Sequence, residues 1–218
     1  MSVREHELTL PVSREEIEEL RAGDVVYLTG EIYATAGLPT HDRLLACVEG
    51  KEQAPFDMTN GALFHLGSLN EEGEDGALRI VYMNPTTSTR FNGHMPRLIP
   101  GLGLRMTGGK GGLSAESARA MAECGCVYLA FLGGGAEIIT AAIRKVTGIG
   151  WPEMISHYRI ARIDVERLGP LTVGIDAHGT SLYDTARESA VARREEILRQ
   201  MKLSRDGAPD DGLAGPAG

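Results

Sequence analysis

The feature that most limits what this chain can fold into is the way its apolar segments change period. Runs of strand character alternate with runs of helical character along most of the length, and glycine stands at many of the junctions. "DVVYLTGEIY" reads as a strand and "HDRLLACVEG" as a helix; "GALFHLGS" and "GALRIVYM" read as two strands separated by the acidic turn "LNEEGEDG". "SAESARAMAECG" is a helix opened by Ser114 and closed by Gly125, and it leads into the strand "CVYLAF". "GGGAEIITAAIRKV" turns into a helix. "ISHYRIARIDVE" and "GPLTVGIDAHGTSLYD" read as two strands with a glycine-containing turn, and "TARESAVARREEILRQMK" as a long charged helix. Ahead of all these, Ser13 and Glu16 in "SREEIEELRAGD" carry a capping-box signature, in which each side chain bonds the other's backbone N–H at a helix start. No internal repeat is visible. Alternation of this kind predicts an α/β fold with mixed sheets and flanking helices. Residues 1–203 are expected to form one domain, with 1–22 an N-terminal extension and helix, and 204–218, rich in Gly, Pro and Asp, a disordered tail.

Bulk properties narrow the function. With 218 residues and 42% hydrophobic composition the chain can fill a core, which excludes a disordered or fibrous protein. A net charge of −8 and a pI near 5.3 supply no global field for nucleic acid or an anionic membrane, so any anionic ligand must be held by local cations. No apolar run is long enough to span a bilayer, and the acidic start "MSVREHELTLPVSREE" is unlike a signal peptide, so a cytoplasmic location is expected. Cys47, Cys124 and Cys126 are odd in number and lack metal-site spacing; small core cysteines are the expectation, with no metal bound by this chain.

Two segments carry chemistry. "NPTTSTR" stacks Thr86, Thr87, Ser88, Thr89 and Arg90 at the end of a strand. "TGGKGGLSAES" sets Lys110 among four glycines before a helix, where backbone N–H groups and the helix N-terminus favour an anion. The phosphate-loop pattern fails, because Leu104 stands where its first glycine belongs and Gly111 where Ser or Thr would hold magnesium. "FLGGGAEI" lacks the dinucleotide-binding pattern, so Gly133, Gly134 and Gly135 are expected to serve close helix–strand packing. A hydroxyl-rich turn bonding its own backbone is the bland alternative for Thr86 to Thr89.

These residues resemble a known family. "NPTTSTR" is similar to the P-T-T-x-x-R motif of class I fumarases and L-tartrate dehydratase β subunits, and "GGKGGLS" to that family's G-K-G segment. "CVYLAFLGGGAEIITAAI" and "LGPLTVGIDAHGTSLYD" resemble two further family segments, so that the similarity spans roughly residues 10 to 202. The resemblance implies a swivelling β/β/α layered domain docked on an α subunit whose three cysteines hold a 4Fe-4S cluster, in a hetero-oligomer. It also implies reversible addition of water to a small dicarboxylate such as fumarate or tartrate. By the same resemblance Thr87 takes the proton-abstracting position, while Thr86, Arg90 and Lys110 line the substrate site. An arginine gives a carboxylate two parallel charge-assisted bonds, and a lysine a compact charge. The family's further arginine would fall at Ala36 or Gly37, although "YATAGLPTHDRL" keeps His41 and Arg43 as candidates for substrate contact. A non-catalytic module of the same fold, binding a small anion or a protein, is the reading from another class.

Overall fold

The computed structural model describes residues 3–73 and 78–206. In chain order its elements are β1 (Glu5–Thr9), α1 (Arg14–Glu19), β2 (Val25–Thr35), α2 (Leu38–Val48), β3 (Ala62–Glu72) and β4 (Leu78–Pro85). A 3-10 turn (Ser88–Phe91) follows, then α3 (Met95–Gly101), β5 (Met106–Gly109), α4 (Ala115–Cys124), β6 (Val127–Ala130), α5 (Ala136–Ala141) and β7 (Ile143–Gly150). A second 3-10 turn (Ser156–Tyr158), β8 (Ile160–Ile175) and α6 (Leu182–Asp206) complete it. Residues up to Tyr183 make one compact unit, and those from Asp184 on make a second, which in the described residues is the remainder of α6.

The α/β class with a mixed sheet flanked by helices is the one expected. β2, β3, β5 and β6 run parallel to one another in that order, while β8 runs antiparallel to β6, β2 and β7. Because β8 pairs with both β6 and β2, the path β2–β3–β5–β6–β8 returns on itself as a ring of five strands. Successive residues of a strand point to opposite faces, and the core divides accordingly. Phe64 and Leu129 join Leu28, Ile32 and Val173 in one apolar cluster, whereas Leu63 and Tyr128 join Leu44, Phe91, Leu98 and Met121 in the other. β3 leaves the ring after His65: its outer half, Leu66–Glu72, pairs only with β4, forming a ribbon that exposes Leu69 and Tyr82.

Several expectations need correction. β3 continues through Asn70 and Glu71, which pair with Ile80 and Arg79, so half of the expected acidic turn is ladder; residues 74–77 lie outside the described residues. "IRKV" is the start of β7 and not a helix tail: Ile143 and Val146 are half-buried and pair with Val165 and Ile163, and a register shift between Ile143 and Lys145 lets the adjacent Arg144 and Lys145 both be exposed. The two strands expected over 155–184 are one strand of sixteen residues, which absorbs its irregularity at Arg167 (φ 52°) and in register shifts against β2 instead of turning back. β1, α3 and the 3-10 turns were not foreseen; β1 is polar and half-exposed, and the other three are too short to show a period. Gly133 and Gly134 pack against nothing, since a Cβ on either would meet open space; Gly134 is needed for its φ of +80°. The expected tail overlaps the end of α6 at 204–206, and 207–218 lie outside the described residues.

Candidate functional site

The parallel order brings the middle of β3, at Phe64 and His65, beside the C-terminal end of β5, and the end of β4 arrives next to them. There Thr86 N–H donates to His65 O at 2.8 Å, Ser88 N–H to Lys110 O at 2.8 Å, and Lys110 N–H to Thr86 O at 3.0 Å. Thr87 and Lys110 are thus bridged as one rung of parallel sheet. The spacing of glycines around Lys110 follows from this crowding. A Cβ on Gly109 would lie 2.4 Å from Ser88 Oγ, and one on Gly112 would lie 2.5 Å from the Tyr183 ring at a φ of +76°. The loop can pass between its neighbours only without side chains, and Lys110, exposed, is the residue it presents to solvent.

Arg90 closes the corner. The 3-10 turn brings its guanidinium back over the threonines, where Nη2 donates to Thr86 Oγ1 at 2.5 Å and Nε to Thr87 O at 3.4 Å. Thr86 and Thr87 are half-buried and Arg90 exposed. The guanidinium also lies over the Phe91 ring, with Cζ 5.5 Å from its centroid. Beside Thr86 opens a groove of about 340 Å³ lined in part by Ser68, Leu69, Tyr82, Asn84 and His157. Among the sequence-selected residues, then, Thr86, Thr87, Arg90 and Lys110 form one solvent-facing corner holding two cations and two hydroxyls. The Ser114-capped N-terminus of α4 follows the Lys110 loop, and Ser114 N–H bonds Asn92 Oδ1 at 3.0 Å just past the 3-10 turn.

His41 and Arg43 stand elsewhere. His41 is 0% exposed and stacks on Phe91 with centroids 3.9 Å apart, its Nδ1 donating to Gly37 O at 2.7 Å. Burial holds its pKa down at about 4, so it is a neutral core imidazole with no face for an incoming ligand. Arg43 is bound by Glu52 and Glu153 and lies 4.4 Å over the Trp151 ring, so its charge is already matched. Gly37 could not carry the missing arginine on this backbone: its Cβ would fall 2.6 Å from Thr40 Oγ1 and 2.8 Å from the Tyr158 ring. His94 meets Asp42 at 2.8 Å. His65, Ser88 and Tyr128, which sequence reasoning did not select, form a buried hydrogen-bonded row directly beneath the corner. A polar residue inside the apolar strand "GALFHLGS" was the available signal for His65.

An iron–sulfur cluster does not fit the thiols of this chain. Cys126 is fully buried with its Sγ turned to Val127 O, burial raises the pKa of all three cysteines, and among the described residues no three His, Cys, Asp or Glu side chains converge as ligands. The expectation of core cysteines holds for Cys126, while Cys47 and Cys124 are half-buried. No helix among the described residues is long and apolar enough to cross a membrane.

The corner thus joins two hydroxyls and two cationic residues beside the end of β5 on an α/β ring. The chain belongs to the Fumarase C-terminus family, whose model matches residues 2–186. Among its relatives, the Escherichia coli L(+)-tartrate dehydratase subunit beta is 28% identical over 194 residues, covering 89% of this chain and 94% of that one. A Methanocaldococcus jannaschii protein provisionally named as the same subunit is 28% identical over 193 residues, covering 86% and 95%. A Geobacillus stearothermophilus protein provisionally named as a class I fumarate hydratase is 30% identical over 195 residues, covering 87% of this chain but 36% of its own length.

Proposed function

We propose that this chain is the β-type half of a hydro-lyase that adds water to, or removes it from, a small dicarboxylate, and that it works with an α-type partner carrying the 4Fe-4S cluster. The names of the full-length relatives support the reaction class and the division into subunits, and the 36% match supports the same division inside one polypeptide. The observation that carries the proposal is the rung between Thr87 and Lys110 with Arg90 folded back onto Thr86. The Lys110 backbone and the Arg90 guanidinium meet the same two threonines, and two cations drawn to one corner call for an anion between them, which a carboxylate supplies.

Removal of water begins by breaking a C–H bond next to a carboxylate; the electron pair spreads onto that carboxylate and then closes the C=C bond as hydroxide leaves, for which the partner's cluster would supply the Lewis acid. Arg90 and Lys110 stabilise the growing charge on the carboxylate. A threonine that has first given up its own hydroxyl proton takes up the substrate proton as an alkoxide, and only where that oxyanion is supported. Resemblance gives that place to Thr87, but Arg90 reaches Thr87 only at its carbonyl, whereas it donates directly to Thr86 Oγ1. We therefore assign the proton exchange to Thr86 and the flanking contact to Thr87, and leave His41 and Arg43 out of the substrate set. Co-expression with an α-type partner, anaerobic purification and a dehydratase screen over malate and tartrate test the proposal. Turnover that is lost in Thr86→Val and reduced less in Thr87→Val is expected. Binding of these acids without any turnover would overturn it in favour of a non-catalytic anion-binding module.

A further inference from the structure

Directly beneath the corner lies a row of polar groups that the proposed chemistry does not touch. Gly112 N–H donates to Tyr128 Oη at 3.3 Å, and Tyr128 O–H donates to Ser88 Oγ at 2.9 Å. Ser88 Oγ lies 2.8 Å from His65 Nδ1. His65 and Ser88 and the Tyr128 ring are all 0% exposed. Assigning the protons so that each hydroxyl in the row has a partner gives it one direction. With Ser88 Oγ already accepting from Tyr128, its own proton has one partner, the ring nitrogen of His65, so Nδ1 carries the lone pair and the imidazole proton sits on Nε2. His65 Nε2 is buried and has no partner. Near it, His41 gives its Nδ1 proton to Gly37 O and leaves its own buried Nε2 as an unpartnered lone pair; the two rings are 5.2 Å apart. Buried polar groups are rarely left unpaired, and a leucine at position 65 would remove the orphan at Nε2 but take away the partner of the Ser88 hydroxyl.

The imidazole is retained, in our reading, for what it does at its other nitrogen. His65 holds both sides of Thr87: its carbonyl accepts Thr86 N–H at 2.8 Å, and its Nδ1 accepts from Ser88. The far end of the row holds Gly112, two residues past Lys110. We infer that His65, acting through Ser88 and Tyr128, is a positioning residue: the row fixes where Thr86, Thr87 and Lys110 stand relative to one another. This rests on the hydro-lyase reading for its consequence, though not for its geometry. Desolvation keeps His65 well below the usual histidine pKa, in accord with a neutral ring in this row.

The test uses the full chain and its assembly with the α-type partner. His65→Leu removes the acceptor, Tyr128→Phe removes one hydroxyl with the ring kept, and His65→Asn restores an acceptor near the Nδ1 position. In the assembled enzyme, His65→Leu and Tyr128→Phe should lower kcat at least about tenfold while KM changes less than about threefold, and His65→Asn should recover kcat to within about threefold of wild type. An active wild type with kcat unaltered in His65→Leu, or with His65→Asn as impaired as His65→Leu, overturns the inference. Nitrogen NMR of the full chain reads the row without activity. A lone-pair Nδ1 on His65, and Lys110 and Gly111 amide signals displaced by Tyr128→Phe, are expected; a protonated Nδ1 or undisturbed amides overturn it. An inactive wild-type assembly would instead count against the hydro-lyase reading, with the NMR result still deciding the geometry.

Discussion

Arg90 and Lys110 hold their charges at the rim of the fold, so their loss should be felt in chemistry before stability. Arg90→Ala and Lys110→Ala should each cost about 2–4 kcal/mol in kcat/KM of the assembled enzyme, with thermal unfolding little changed. Gly109 is the opposite case. Its absent side chain leaves room for Ser88 Oγ, which a Cβ would approach to 2.4 Å, so Gly109→Ala should destabilise by about 1–3 kcal/mol in denaturant titration and misplace the corner as well. His41 makes the stability depend on pH. Its folded pKa of about 4 lies below the 6.5 of an exposed histidine, so between these values the unfolded chain binds more protons. Stability is full above about pH 6.5 and falls as the pH drops toward 4, by about 3 kcal/mol for this residue, and His65 acts in the same direction. Denaturant midpoints between pH 7 and 4 check this, and His41→Gln should flatten the slope.

At the scale of elements, how much was legible depended on whether the residues near in sequence settle the matter. Ser114 and Gly125 bound α4 as expected: the serine accepts from Ser117 N–H, and the glycine takes the left-handed conformation at φ 66°. Ser114→Ala should cost about 1 kcal/mol in chemical denaturation, and Ser114→Asp much less. The corner was legible in part, because its threonines, arginine and lysine are unusual in type as well as place. What escaped was non-local. Whether "ARIDVERLGPLTVGI" turns back or runs on is decided by β2 and β7, which lie along both its edges, and no local residue records that. The role of Ser88 needed Tyr128, forty residues away. Gly133 and Gly134 misled because a glycine needed for close packing and one left in open space look alike in a sequence.

On the proposed reading the whole molecule supplies half of a site. Arg90 and Lys110 face solvent, among the described residues no three ligand side chains converge with the cysteines, and a corner this open needs a partner surface to enclose a dicarboxylate. Anaerobic iron and sulfide reconstitution of the chain by itself should therefore yield no stoichiometric cluster, judged by iron content and visible absorbance. Mixing with the α-type partner should raise the mass seen by light scattering. The central claim is that the corner built from Thr86, Arg90 and Lys110 binds the reacting carboxylate, and steady-state dehydration of a hydroxy-dicarboxylate by the assembled pair tests it most directly. The account predicts turnover by the wild type and a kcat/KM for Lys110→Ala lower by at least about thirtyfold with the assembly intact, the factor equivalent to about 2 kcal/mol. Equal kcat/KM for the two would contradict it.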